Sequence, residues 1–497
     1  MGSAALALPG CHGGRGPVTG APGAQTGAPL ERFGLTDALA REVMARALQS
    51  GGDFCDLFFQ SSRINYLGVQ DHAVNRAYSK AEIGLGVRVV RGVETGYAFT
   101  ESLDRASMLQ AAEVAAAVAN GAARKVPTAF AVSARPRYYP HDQRWKGVST
   151  KRKVAMLQEL DKVTSARDKR VSKVNITYRD EEHFITVLDA EGRVFTDYQP
   201  MTVCYLKCVA EQKGRREANY AALAGRAGFE FYNQERLSRI VRESVDRTLV
   251  LFDAVEGPVG DMPVVLGPGS SGILLHEAIG HGMEADFARS KTTIFTDKIG
   301  KKVAEPFVTI ADDGTLPGRR GSIHADDEGN PSQRTVLVEN GILRSFMHDR
   351  ISASHFKIAP TGNGRRESFR HIPLPRMRNT YMLAGPHSPE EIIRSVKKGV
   401  YAEHFSNGQV QIGAGDYSFY VKNGTLIEDG KLTRPIKDVN IIGNGPESLA
   451  RATMVGKDFA LDEGGWTCGK GGQRVPVGLG MPTVKISSIT VGGTKKG

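Results

Sequence analysis

Cysteine is scarce in this chain. Only five occur among 497 residues: Cys11, Cys55, Cys204, Cys208 and Cys468. An odd, thin scatter makes no disulfide framework and points to a reducing compartment, the cytoplasm. Long apolar runs are missing too. No stretch approaches the roughly 18 apolar residues of a membrane-crossing helix, so none is expected. Residues 1–31 are rich in Gly, Pro and Ala and lack the continuous apolar core of a secretory signal. They predict a disordered lead-in. No segment repeats at a solenoid-like period. Zinc-finger, RRM-like and helix-turn-helix signatures are absent, so the net charge of +11 does not point to nucleic acid.

What is present is an ordinary globular composition on a chain long enough for two domains. Helices are predicted over 35–49, 106–119, 151–165 and 235–252, from apolar periodicity bounded by capping residues and Asn or Gly stops. Strands are predicted over 53–60, 83–90, 96–100, 185–188, 193–196 and 202–210. The segment Glu256-Gly-Pro-Val-Gly-Asp-Met-Pro263 breaks the pattern. Beyond it short strands dominate, interrupted by one helix over 389–398 capped by Ser388. Asn340-Gly341 and Asn423-Gly424 both read as hairpin turns. The expectation is α+β: an N-terminal domain (32–257) of antiparallel sheet with helices, then a β-rich C-terminal domain (258–497) carrying a metal-site helix.

That helix is the informative segment. Pro263 to Leu266 reads as a strand, and Ser270 or Ser271 as the cap of a helix entering His276-Glu277 with His281 following. Two histidines four apart share a helix face. Five apart, as here, they diverge by about 140° on a regular helix. A shared metal therefore demands a break or a π-bulge between them, which Gly280 would permit. Imidazoles hold zinc, and a glutamate beside the first ligand suits a proton acceptor for bound water. A third ligand is needed, with Cys468, Glu284, Asp286 and remote histidines as candidates. Gly464 to Lys470 imitates a phosphate loop, but Gly471 stands where Ser or Thr belongs. Cys204 and Cys208, four apart on a strand, lie about 13 Å from each other and read as core.

Several long motifs carry a resemblance. They are His276-Glu-Ala-Ile-Gly-His-Gly-Met-Glu-Ala-Asp-Phe287, Asp312-Asp-Gly-Thr-Leu316 and Arg320-Gly-Ser-Ile-His-Ala-Asp-Asp-Glu-Gly329. Pro360-Thr-Gly-Asn-Gly-Arg-Arg-Glu-Ser368, Pro375-Arg-Met-Arg-Asn-Thr-Tyr-Met382 and Trp466-Thr-Cys-Gly-Lys-Gly-Gly-Gln473 complete the set. Together they resemble the TldD/PmbA zinc metallopeptidase family; Gly52 to Gln60 is a softer match. The resemblance implies Zn2+ held by His276, His281 and Cys468, with Glu277 as general base. It implies hydrolysis of short peptides and unfolded segments. It also implies an oligomer, either a homodimer or a heterodimer with a PmbA/TldE-like subunit lacking the metal motif. Because this chain keeps that motif, it resembles the catalytic branch. Asn363, Arg365, Arg366 and Glu367 are candidates for gripping substrate or, alternatively, for a structural ion-pair network. The competing functional reading is a non-enzymatic modulator, for example of DNA gyrase, with a purely structural metal. Glu277 separates the two, since a structural site has no use for it.

Overall fold

The computed structural model describes residues 29–411 and 414–493. Most of the predicted lead-in lies outside them. Pro29 and Leu30 are described, and Leu30 is fully buried against the first core.

The N-terminal half is built on very long strands. They are β1 (Phe54–Gln70), β2 (Ala73–Arg91), β3 (Glu94–Thr100), β4 (Val171–Asp189), β5 (Arg193–Gln212) and β6 (Arg215–Gly225). They form one antiparallel sheet in the order β3-β2-β1-β4-β5-β6. Helices α1 (Asp37–Ala47) and α2 (Arg105–Ala116) close one core against it. Helices α3 (Thr150–Arg167) and α4 (Gln234–Leu249) close a second. Thr36, Asp104, Ser149 and Asn233 each cap one of these helices through a side-chain oxygen.

The C-terminal half carries strands β7 (Gly260–Leu266), β8 (Ile310–Asp313), β9 (Arg334–Glu339), β10 (Asn379–Met382), β11 (Lys398–Gln411) and β12 (Asp416–Glu428). It continues with β13 (Lys431–Lys437), β14 (Val439–Asn444), β15 (Thr467–Lys470), β16 (Gln473–Pro476), β17 (Gly478–Met481) and β18 (Val484–Gly493). Strands β11, β7, β18, β14 and β12 pair in a ring that closes on itself, a small barrel. A second sheet runs β9-β8-β10-β17, with β10 and β17 parallel. One large apolar core fills this half. The fold is α+β.

The two halves meet through buried charge. Arg88 of β2 donates to Asp56 of β1 at 2.5 Å and to Glu328 of the other half at 2.7 Å. Arg366 donates to the second Asp56 oxygen at 3.1 Å, and the Arg350 N–H donates to Glu328 at 2.7 Å. The side chains of Arg88, Asp56, Glu328 and Arg366 are all fully buried. Phe369 adds an apolar plug. A Cβ on Gly84 would lie 2.2 Å from its ring, so the glycines of Ile83-Gly-Leu-Gly86 make its slot.

Two turn assignments change. Asn423-Gly424 is no turn: β12 runs straight through it. Asn423 is buried, accepting from Asn219 Nδ2 at 2.6 Å and donating to the Arg247 carbonyl at 3.0 Å. The turn comes later, at Asp429-Gly430, where both residues have positive φ. Conversely, Asp71-His72 joins β1 to β2 with φ of 52° and 61°, a type I′ geometry without glycine. Asn340-Gly341 turns as expected. The helix at 389 is shorter than expected, ending at Arg394.

Asn423→Ala leaves one N–H of the Asn219 amide unpaired at this junction, the other still donating to the Arg247 carbonyl at 3.2 Å. It should cost about 1–3 kcal/mol, read as a lower denaturant midpoint with an unchanged slope.

Candidate metal centre

Strand β7 leads into a single α-turn, Gly272–Leu275, whose four residues are buried. The next five residues, His276–Gly280, are π-helical, and the His281 N–H bonds back to the His276 carbonyl. The wider turn carries residue 281 round to the side of residue 276. The two rings stand edge to face, 5.1 Å between centroids. The break demanded by the five-residue spacing is therefore a π turn. Gly280 is not its hinge: its φ of −59° and ψ of −48° are ordinary helical values. Glycine is needed there for packing, because a Cβ would lie 2.2 Å from Met377 Sδ. Neither serine caps the helix. Ser271 Oγ is buried without a partner, and Ser270 donates to the Glu403 carbonyl at 3.0 Å.

Hairpin β15–β16 brings Cys468 to this turn. Its Sγ lies 3.4 Å from His281 Nε2. The ligand atoms of His276, His281 and Cys468 all fall within 4.8 Å of one another. These residues are 1%, 2% and 2% exposed, so their donors have little water to turn to. His276 Nδ1 is buried with no hydrogen-bond partner. His281 Nδ1 pairs with Glu284 at 2.9 Å, which leaves its Nε2 facing the sulfur. Burial alone would raise the Cys468 thiol, but His276 and His281 together hold it well below its usual range. Burial pulls His281 down, and Glu284 with Cys468 more than reverses this.

Glu284 and Asp286 stand behind the donors. Lys470 Nζ sits 3.0 Å from Glu284 and 2.8 Å from Asp286. Burial would raise the Glu284 carboxyl, yet Lys470 and His281 keep it down at about 2. Two imidazoles, one of them with a buried ring nitrogen that has no partner, and one thiolate fit zinc, with a tetrahedral position left over. Glu277 is the member of the motif that solvent reaches, its side chain 23% exposed and Oε2 3.8 Å from His281 Nε2.

A cleft of about 940 Å³ lies between the long sheet and the C-terminal segments; Thr467 and Gly469, which flank Cys468, are in its wall. Arg365, Arg366 and Glu367 line it. Asn363 does not: its amide is consumed by Asp312 at 2.8 Å and the Arg376 carbonyl at 2.9 Å. Arg366 also belongs to the buried charge seam, and Glu367 accepts the Arg474 N–H at 2.7 Å. Cys204 and Cys208 are core residues of β5, their thiols pushed up by burial to about 12 and about 11.

Lys470 was missed as a site residue. It lies two positions beyond Cys468 on one strand, hence on the same face, and that spacing was the available signal. A second cluster, His141, Asp197 and His324, also brings its donors together. The Tyr138 N–H donates to His324 Nδ1 at 3.2 Å. Burial above all lowers His324 to about 4, so the ring is neutral and its proton sits on Nε2. That leaves no lone pair for a metal at the nitrogen facing the cluster.

Three family models cover most of the chain. They describe the PmbA/TldA metallopeptidase domain 1 (residues 55–119), central domain (144–252) and C-terminal domain (259–493). The chain is 40% identical over 449 residues to the metalloprotease TldD homolog of Haemophilus influenzae, covering 89% of this chain and 93% of that one. It is 35% identical to the zinc metalloprotease TldD homolog of Saccharolobus solfataricus over 47% of this chain and 52% of that one. The crystal structure of TldE from Thermococcus kodakarensis shares the fold, with a TM-score of 0.72 and 20% identity over 94% of this chain and 100% of that one. On its sequence, from residue 55 to residue 493, the chain belongs to the PmbA/TldD metallopeptidase family.

Proposed function

We propose that this chain is a zinc-dependent peptidase acting on short peptides and unfolded segments. The observation that supports it most is the convergence of His276, His281 and Cys468 beside a solvent-reachable Glu277. Those three residues would hold the zinc. When bound, it would supply Lewis acidity to a scissile carbonyl and to water. Glu277 is placed to accept a proton from water and return it to the leaving amine. Glu284 holds the His281 tautomer, and Lys470 keeps Glu284 ionised for that task. A purely structural metal would leave Glu277 without a role.

Access supports the substrate form. The donors are buried and, of the motif, only Glu277 meets solvent, an approach that suits an extended chain and excludes a folded domain. Unfolding a domain first would cost about 5–15 kcal/mol. A subunit of the PmbA/TldE type, without the metal motif, is the proposed partner, and the cytoplasm the proposed location. Among the described residues no helix is long and apolar enough to cross a membrane.

Three outcomes test this reading. Metal analysis of the purified protein should give about one zinc per chain. Cys468→Ala should lose it; a variant that keeps full zinc means that another residue is the third ligand. Glu277→Gln should retain zinc while peptide cleavage falls about 10²–10⁴-fold. Cleavage at the parental rate would make Glu277 a structural residue. Finally, a folded domain bearing a flexible tail should lose only the tail, as read by mass spectrometry of the products. Rapid internal cutting of the domain would contradict a recessed site.

A further inference from the structure

The cleft is far from electrically balanced. Eight cationic side chains and four carboxylates line it. Some of these pair off: Lys80 and Arg370 share Glu82, Arg179 takes Glu181, and Arg366 takes Asp56. Three do not. Among the described residues, Arg226, Arg320 and Arg365 have no carboxylate within 4.0 Å. Arg226 and Arg365 are only 2% and 3% exposed, so water does not compensate them.

Their contacts are with neutral oxygens. Arg226 donates to Gln199 at 3.1 Å, and Arg365 to the Met377 carbonyl at 2.6 Å. Arg320 donates to the Trp466 carbonyl at 2.9 Å and to Thr467 Oγ1 at 3.2 Å. Arg226 Nε and Arg320 Nη1 are buried with no partner. Asp327 and Glu367 accept backbone N–H groups, of Arg366 at 2.8 Å and of Arg474; Asp327 attracts Arg226 and Arg365, and Glu181 attracts Arg320, but only from beyond ion-pair distance. Burial, then the neighbouring Arg226 charge, pushes the Arg365 guanidinium down to about 9.

Buried charge without a counter-charge is costly, and a fold tolerates it where a ligand supplies the missing charge. The cleft lies on the face of β15–β16 opposite Cys468, against segments that also shape the metal centre. Arg320 grips the two residues before Cys468, and Arg365 holds Met377, whose sulfur packs on Gly280 of the π turn. We propose that Arg226, Arg320 and Arg365 form a carboxylate subsite, selecting peptides that carry a carboxylate. The subsite deepens the peptidase reading and rests on it for the identity of its ligand. The carboxylate comes from the peptide C-terminus or from an Asp or Glu side chain.

The test uses the full chain with Glu277→Gln, so that peptides are not consumed, and three peptides bearing a neutral dye. One is uncharged and C-terminally amidated. The second has a free C-terminus, and the third is amidated with one Gln changed to Glu. Fluorescence anisotropy should show at least one carboxylate peptide binding about tenfold tighter than the neutral one, and which one identifies the source. Arg226→Gln, Arg365→Gln and the half-buried Arg320→Gln should each remove most of that advantage and leave neutral-peptide affinity unchanged. The melting temperature of Arg226→Gln, whose native side chain bonds no backbone group, should hold or rise because a charge without a contacting counter-charge has gone; a structural role would lower it. Equal binding of all three peptides, or of none, overturns the subsite. Cleavage of the neutral peptide by the unsubstituted chain tests the peptidase reading separately, so either can fail alone.

Discussion

A regular α-helix would point His276 and His281 about 140° apart, so the two rings meet only because the His281 N–H reaches back to the His276 carbonyl across a π turn. Such turns are rare, and this one is clamped on two sides. Met377 fills the space beside Gly280, and Gly445 lies so close to the Ala278 carbonyl that a Cβ would come within 2.0 Å. Met377 is tied in turn to Arg365 of the cleft. The proposed metal donors, the turn that aligns them and the cleft wall form one packed unit. A volume change at Met377 or Gly445 would reach the histidines without touching them.

Packing around the centre does not by itself hold the cleft open. Its opposite wall belongs to the long N-terminal sheet, and the registry between the walls is set by Arg88, Asp56, Glu328 and Arg366. Buried ion pairs add little net stability when their desolvation is counted, yet breaking one leaves an uncompensated charge. Such a seam resists small displacements: sliding one half past the other separates full charges in a medium that screens them poorly. The Phe369 slot in β2 adds a steric stop to the electrostatic one.

Much of this was legible in the sequence. Local rules located all four N-terminal helices, the first by its cap and Gly-Gly stop, the second by its run of alanines and Asn-Gly stop, and the fourth by its apolar face. The five-residue histidine spacing required an irregular turn, and the structure has one. The lengths of β1 and β2 were not legible. Ala73 to Ala81 is exposed throughout, so no alternation marks it as strand. Asn423-Gly424 misled because the turn rule reads two residues alone, whereas Asn423 is fixed by Asn219 and Arg247, remote in sequence. The pairing of Lys470 with Glu284 was hidden for a like reason, since it joins residues 186 apart in sequence. Asn363 carries the chemistry of a binding residue, but its amide is spent on Asp312 and Arg376.

The proposed ligands come from two segments, with Cys468 lying 187 residues beyond His281. During synthesis the histidine pair leaves the ribosome long before the cysteine. Until then the nascent chain holds two donors of three and no β15–β16 hairpin to close the centre. Peptidase activity would thus be withheld until translation has passed Cys468. A chain aborted earlier would be inert toward its unfolded neighbours, with no inhibitory pro-segment needed to restrain it.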